Sequence, residues 1–181
     1  MIKSFKEEFE KKIIELGFSY SRAQDGLYYL CDKNGINHPI IVLLIESQVP
    51  NNQKYGSKNR NDIQAIGIFI FKRIKHEPQP DFFIFSFSNL VKEQSEYLII
   101  PTEELEWKII KRNLDFKHVK RIKIVLWLMN DGSIYNTTGI SIEGEWYLLS
   151  KGINGRMVDK TDMDYTKFFN NWPILWPSLS Q

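Results

Sequence analysis

The chain has 181 residues, 43% of them hydrophobic and 25% charged, which is enough apolar material for one ordinary core and too much for disorder, collagen or a repeat array. With 24 Lys and Arg against 22 Asp and Glu, no global field draws it to nucleic acid, so any such attraction must come from local patches. Cys31 is the single cysteine, which excludes an internal disulfide and a cysteine-based zinc site and points to a reducing compartment, the cytoplasm. The N-terminal run MIKSFKEEFEKK carries charge where a secretory signal needs an apolar core, and no stretch approaches the roughly 18 apolar residues of a membrane span.

Phe5, Phe9, Ile13 and Leu16, with Ile2 before them, recur at helical spacing, Ser4 and Glu7 form a capping-box pattern, and Gly17 ends the helix. Leu27–Asp32 and Pro39–Glu46 read as antiparallel strands joined by Lys33-Asn34-Gly35. Asp25-Gly26 offers a second turn, which makes Phe18–Arg22 an earlier strand of the same meander. Residues 47–62 lose all periodicity and read as an exposed loop. The segment 63–75 fits a helix by the spacing of Ile63, Ile66, Ile70 and Ile74, but its Ile, Phe and Gly67 favour a strand at the centre. Asp81–Ser88 and Tyr97–Ile100 are strands, Pro101-Thr102-Glu103-Glu104 opens a helix running to about Asn113, Arg121–Met129 is a strand, and Asp131-Gly132 is a turn. Residues 134–150 read as a hairpin region, and the tail with Phe168, Phe169, Trp172, Leu175 and Trp176 is too apolar to hang free. Alanine occurs only at 23 and 65 while Ile abounds, so sheet dominates the core of one α/β (α+β) domain.

The chemistry-bearing residues are scattered. His38, His76 and His118 have no paired metal-ligand spacing, and no phosphate-cradling or nucleophile-elbow motif is present. Cys31, inside an apolar strand, reads as a buried, inert thiol. Positive charge gathers at Lys54, Lys58, Arg60, Lys72, Arg73 and Lys75 against Asp62 alone, and again at Lys108, Lys111, Arg112, Lys117, Lys120, Arg121 and Lys123 against Asp115, a distribution suited to phosphate contacts. Asp25, Asp32 and Glu46 stand at strand ends, where two or three carboxylates can hold Mg²⁺, which activates water against a phosphodiester.

The order helix, meander with Asp25 or Asp32, strand ending in Glu46, DFFIFSF at 81–87, then YLIIPTEEL at 97–105 with FNNW at 169–172 resembles the restriction-endonuclease-like PD-(D/E)XK superfamily, in particular its small bacterial members. The resemblance covers roughly residues 5–113 and 169–175. It implies a central mixed sheet flanked by helices over 1–113, a β-rich accessory region at 114–168, and a docked tail at 169–181. It also implies Asp32 and Glu46 as Mg²⁺ ligands, Asp25 as the substitute first acid, and Glu7 or Glu8 as an additional acid. Gln48 stands where the superfamily carries Lys, so Lys54 or Lys58 becomes the catalytic cation. Lys54, Lys58, Arg60, Lys72, Arg73, Lys111 and Arg112 become the DNA contacts. The expected protein is a divergent nuclease-like DNA binder, single-domain, with a homodimer or an inactive binding or protein-interaction module as further expectations.

Overall fold

The computed structural model describes residues 4–32, 39–48, 63–72, 78–89, 94–111, 121–136 and 163–176. Helix α1 spans Phe5–Glu15. Ser4 Oγ accepts the Glu7 N–H at 3.2 Å while Glu7 Oε2 accepts the Ser4 N–H at 3.4 Å, so both halves of the capping box form. Phe9 and Ile13, four residues apart, face the sheet and are fully buried.

Strands β1 (Phe18–Arg22), β2 (Leu27–Asp32), β3 (Ile40–Glu46), β5 (Phe82–Asn89) and β6 (Gln94–Pro101) form a five-stranded sheet in the order β1-β2-β3-β5-β6. It is mixed: β3 and β5 run parallel, and the other neighbours are antiparallel. Strand β4 (Ile63–Lys72) belongs to a second, antiparallel sheet with β7 (Arg121–Met129) and β8 (Ile134–Asn136). Among the described residues the chain is therefore α+β and mostly strand, with α2 (Thr102–Lys111) as the second helix. A strand thus runs along the whole of 63–72, tertiary pairing having settled a segment whose local pattern was ambiguous. The second sheet has the order β4-β7-β8, so residues 121–129 pair directly with 63–72 and 134–136 pair with β7. The Lys33-Asn34-Gly35 turn and most of the 134–150 hairpin lie outside the described residues.

Alternation along each strand of the five-stranded sheet makes two cores. One face, with Tyr28, Val42, Leu44, Ile84 and Ile99, packs against Phe9 and Ile13 of α1 and against Trp172 and Leu175. The other, with Leu43, Ile45, Phe85, Phe87 and Leu98, packs against Phe69, Ile124, Leu126 and Leu128 of the second sheet and Leu105 of α2. One face thus carries α1 and the other the second sheet with α2 beside it. Gly67 is needed here: a Cβ on it would lie 2.6 Å from the Phe69 ring, which stands edge-on to Phe85 at 5.0 Å. The segment 163–176 closes both cores, with Tyr165, Phe168, Trp172 and Leu175 buried.

Cys31 is exposed, not buried. Its side of β2 also carries Leu27 and Tyr29, and the cover given by the second sheet fades from Leu27 to Tyr29, leaving the distal end of the strand bare. Among the described residues no helix is long and apolar enough to cross a membrane.

Candidate functional site

The meander decides which acids can meet. In the β2–β3 register Leu27 faces Leu43 and Leu30 faces Ile40, so Asp32 lies past the start of β3 while Glu46 ends it. At about 3.3 Å per residue the two are roughly 25 Å apart along the strands. Asp32 and Glu46 therefore cannot share a metal ion, and the expectation that pairs them is corrected. Two strand-end acids that are both C-terminal belong to opposite ends of an antiparallel pair, which is the physical reason.

Asp25 stands at the other end, with Glu46. The turn Gln24–Gly26 holds Asp25 at φ 58° and Gly26 at φ 83°. It presses so closely on β3 that a Cβ on Gly26 would fall 2.6 Å from the Leu44 carbonyl oxygen. Asp25 is exposed there.

Glu46 leads across the sheet. It is the register partner of Ser86 on β5, and Ser86 is the partner of Tyr97 on β6, so the three side chains share one face in one transverse row. Among the described residues, the buried side-chain polar atoms without a hydrogen-bond partner are Glu46 Oε1, Ser86 Oγ and Tyr97 OH. Ser86 is 0% exposed and Tyr97 5%. A buried polar atom left unsatisfied costs about 1–3 kcal/mol, and more when charged, so three in one row single this row out among the described residues.

The row continues under α1. Ser88 faces Ser95 in the next transverse pair, and the Ser95 hydroxyl donates to Glu8 Oε2. Glu7 is instead engaged in the helix cap. Burial first, then the Glu8 carboxylate, raises the Tyr97 phenol above its ordinary range, with the Ser95 hydroxyl working the other way. A cleft of about 550 Å³ opens between α1 and β6 here, lined by Glu7, Glu8, Lys11, Lys12, Ser95 and Tyr97 among others. Trp172 backs Tyr97 edge-on at 5.1 Å. The structure thus places Glu8, Asp25 and Glu46 toward one end of the five-stranded sheet, spread across it from β6 to β2, and Asp32 at the other end.

The Lys position of the superfamily motif is occupied by Gln48, whose N–H donates to Ile68 O at 2.7 Å and whose side-chain amide donates to Ile70 O at 3.5 Å. It ties β3 to β4. Lys54, Lys58, Arg60, Arg73 and Arg112 lie outside the described residues. Lys72 ends β4 and Lys111 ends α2, and their side chains also lie outside the description. Among the described residues no group of three or more His, Cys, Asp or Glu is placed to hold a metal ion. By donor type, one carboxylate and two hydroxyls suit a hard cation such as Mg²⁺, but they do not assemble a multi-carboxylate centre.

The signal for the row was in the sequence. On one face of β5 the order Phe82, Ile84, Ser86, Ser88 turns from apolar to hydroxyl, and on β3 the order Val42, Leu44, Glu46 turns from apolar to acid. Which strands stand beside each other was needed to see that these changes align. Comparison with known proteins returns no match: no family model fits the chain, and no curated protein and no solved structure matches it.

Proposed function

We propose that this chain is a divergent nuclease-like, DNA-binding protein of restriction-endonuclease-like architecture, bacterial and cytoplasmic, with the Glu46 end of the five-stranded sheet as its working end. The observation that supports the reading is the row Glu46–Ser86–Tyr97, with its three buried and unpartnered oxygens, at the end where Glu8 and Asp25 also stand. Those are the places where the resemblance calls for a helix acid, a first acid and a second acid, provided Asp25 takes the role first given to Asp32. Glu46 is the acid of the second motif. Mg²⁺, if held at Glu46, would polarise a phosphate and lower the pKa of a bound water. The chain's own part is to hold the half-buried Glu46 in one row with the Ser86 and Tyr97 hydroxyls. The basic segment that carries Lys54, Lys58 and Arg60 follows Glu46 in the sequence by a few residues and supplies the phosphate contacts in this reading.

A second reading, binding without cleavage, is favoured by Gln48. Its side chain is spent on the β4 backbone and carries no charge to set beside an attacked phosphate.

Plasmid and single-stranded DNA incubated with the protein in Mg²⁺ and in Mn²⁺, beside salt-titrated binding, separate these readings. Cleavage that disappears in Glu46→Gln and persists in Asp32→Asn supports the first. Affinity that falls steeply with salt, without cleavage, supports the second. Absence of salt-dependent binding refutes both.

A further inference from the structure

The edges of the two sheets are closed in different ways. The edge of β6 carries Phe169 bridged to Leu98 and Asn170 bonded to Tyr97. The edge of β8 carries Asp164 bridged to Tyr135, with the Tyr165 N–H on Ile134 O, and β4 receives the Gln48 N–H on Ile68 O. Strand β1 begins the order of the five-stranded sheet and has no such cover among the described residues.

Its outward groups can be identified. The Ala23 N–H donates to Leu27 O at 2.8 Å, and this pair continues the β1–β2 register, in which Arg22 faces Tyr28. Hydrogen-bonded pairs alternate along an antiparallel ladder, so Ser21–Tyr29 and Ser19–Cys31 are bonded pairs. The N–H and C=O groups of Phe18, Tyr20 and Arg22 then point away from β2, out of the sheet. This set is self-complementary about Tyr20. An antiparallel second β1 sets Phe18 against Arg22, Tyr20 against Tyr20 and Arg22 against Phe18, and satisfies every one of the outward groups.

Nothing on the strand opposes such pairing. Ser19 and Ser21 are small and exposed, and the Arg22 guanidinium is turned toward Glu10 at 3.4 Å. Pro, Lys and bulges, the usual devices that blunt an edge, are missing from β1. A second observation comes from α1. Glu10 reaches Tyr20 and Arg22 on β1, and Ile14, one helical turn on along the same stripe, is 52% exposed. A large apolar side chain thus overhangs the open edge.

We propose that β1 is a self-association edge: a second copy of this chain pairs antiparallel with it about Tyr20, joining two five-stranded sheets into one of ten strands, with the two α1 helices on the same face and the Ile14 of each copy flanking the seam. Its occupant is another copy because self-pairing sets Ser19 against Ser21 and Arg22 against Phe18, so no like charges on the strand are opposed. Five paired residues and one helix stripe give a contact at or below the roughly 1,200 Å² low end of stable interfaces, so the dimer is a weak one. The proposal does not depend on nuclease chemistry.

Sedimentation velocity on the full chain from about 1 to 500 µM tests it. The expected result is a weight-average mass that rises from 21.4 kDa toward twice that value. Two variants at exposed positions act on the seam. Ser19→Lys with Ser21→Lys puts lysine opposite lysine across the two-fold, and Ile14→Glu puts charge over it. Each shifts the midpoint at least tenfold to higher concentration, with circular dichroism and thermal midpoint close to wild type. A mass that stays at 21.4 kDa over the whole range overturns the proposal, as does dimerisation by folded Ile14→Glu at the wild-type midpoint.

Discussion

Replacing Asn170 by Ala probes how the 163–176 segment is held. Asn170 sits at φ 46°, its N–H donates to Tyr97 O at 2.7 Å, and its Oδ1 accepts the Tyr97 N–H at 3.0 Å. Its Nδ2 donates to Glu96 Oε2 at 2.6 Å. Glu96 is 1% exposed and also receives Asn89 Nδ2 at 3.0 Å and Gln94 Nε2 at 3.1 Å. Amide donors are what make a buried carboxylate tolerable. Ala keeps the backbone bond and loses both side-chain bonds. The bond to a charged acceptor is worth about 1.5–3 kcal/mol and the neutral one about 0.5–1.5 kcal/mol. A left-handed Ala adds about 1 kcal/mol relative to Asn, whose side chain tolerates that region. Water reaching the strand edge offsets part of this, so the expected loss is about 2–4 kcal/mol. With a urea slope of about 2 kcal/mol/M, the midpoint falls by roughly 1–2 M. Asn170→Gly removes the same side-chain bonds without the left-handed penalty, so it should lie about 1 kcal/mol above Asn170→Ala. A loss under about 0.5 kcal/mol in Asn170→Ala would show that the segment is not held through Asn170 and Glu96, and the account of the tail as part of the core would fail with it.

Two further outcomes follow from the site's surroundings. Gly26→Ala must place a Cβ at φ 83° and 2.6 Å from the Leu44 carbonyl oxygen, so denaturant titration should show a loss of about 2–4 kcal/mol; a loss under 1 kcal/mol would mean that the turn does not press on β3. Burial, then the hydrogen bond to Glu10, raises the Tyr28 phenol to about 12. The unfolded chain releases this proton near pH 10 and the native one only near 12, so the native state binds more protons between those values. Stability from this group is complete below about pH 10 and is lost as pH rises toward 12. Urea titrations at pH 8, 10 and 11 should show that decline flattened in Tyr28→Phe, and an unchanged slope in the variant would remove Tyr28 as its cause.

Local chemistry made much of this chain legible from its residues. The capping box at Ser4 and Glu7, the stop at Gly17, the Asp25-Gly26 turn and the alternating strands all depend on neighbours a few positions away, so the sequence by itself determined α1, the meander, β5, β6 and the start of α2. It also determined that sheet would dominate, because a chain rich in Ile and Phe and nearly without Ala has side chains suited to pleated surfaces. Tertiary structure decided the rest. Strand direction separated Asp32 from Glu46 and brought Asp25 to the Glu46 end, since an antiparallel pair sends successive C-terminal ends opposite ways. Sheet partnership gave 63–72 its strand form, and it aligned Glu46 with Ser86 and Tyr97, residues far apart in the chain whose parity on separate strands carries no information about who stands beside whom. The reach of one sheet over another left Cys31 bare. Each of these turns on pairings between distant segments, which local pattern does not encode and the packing of two faces imposes.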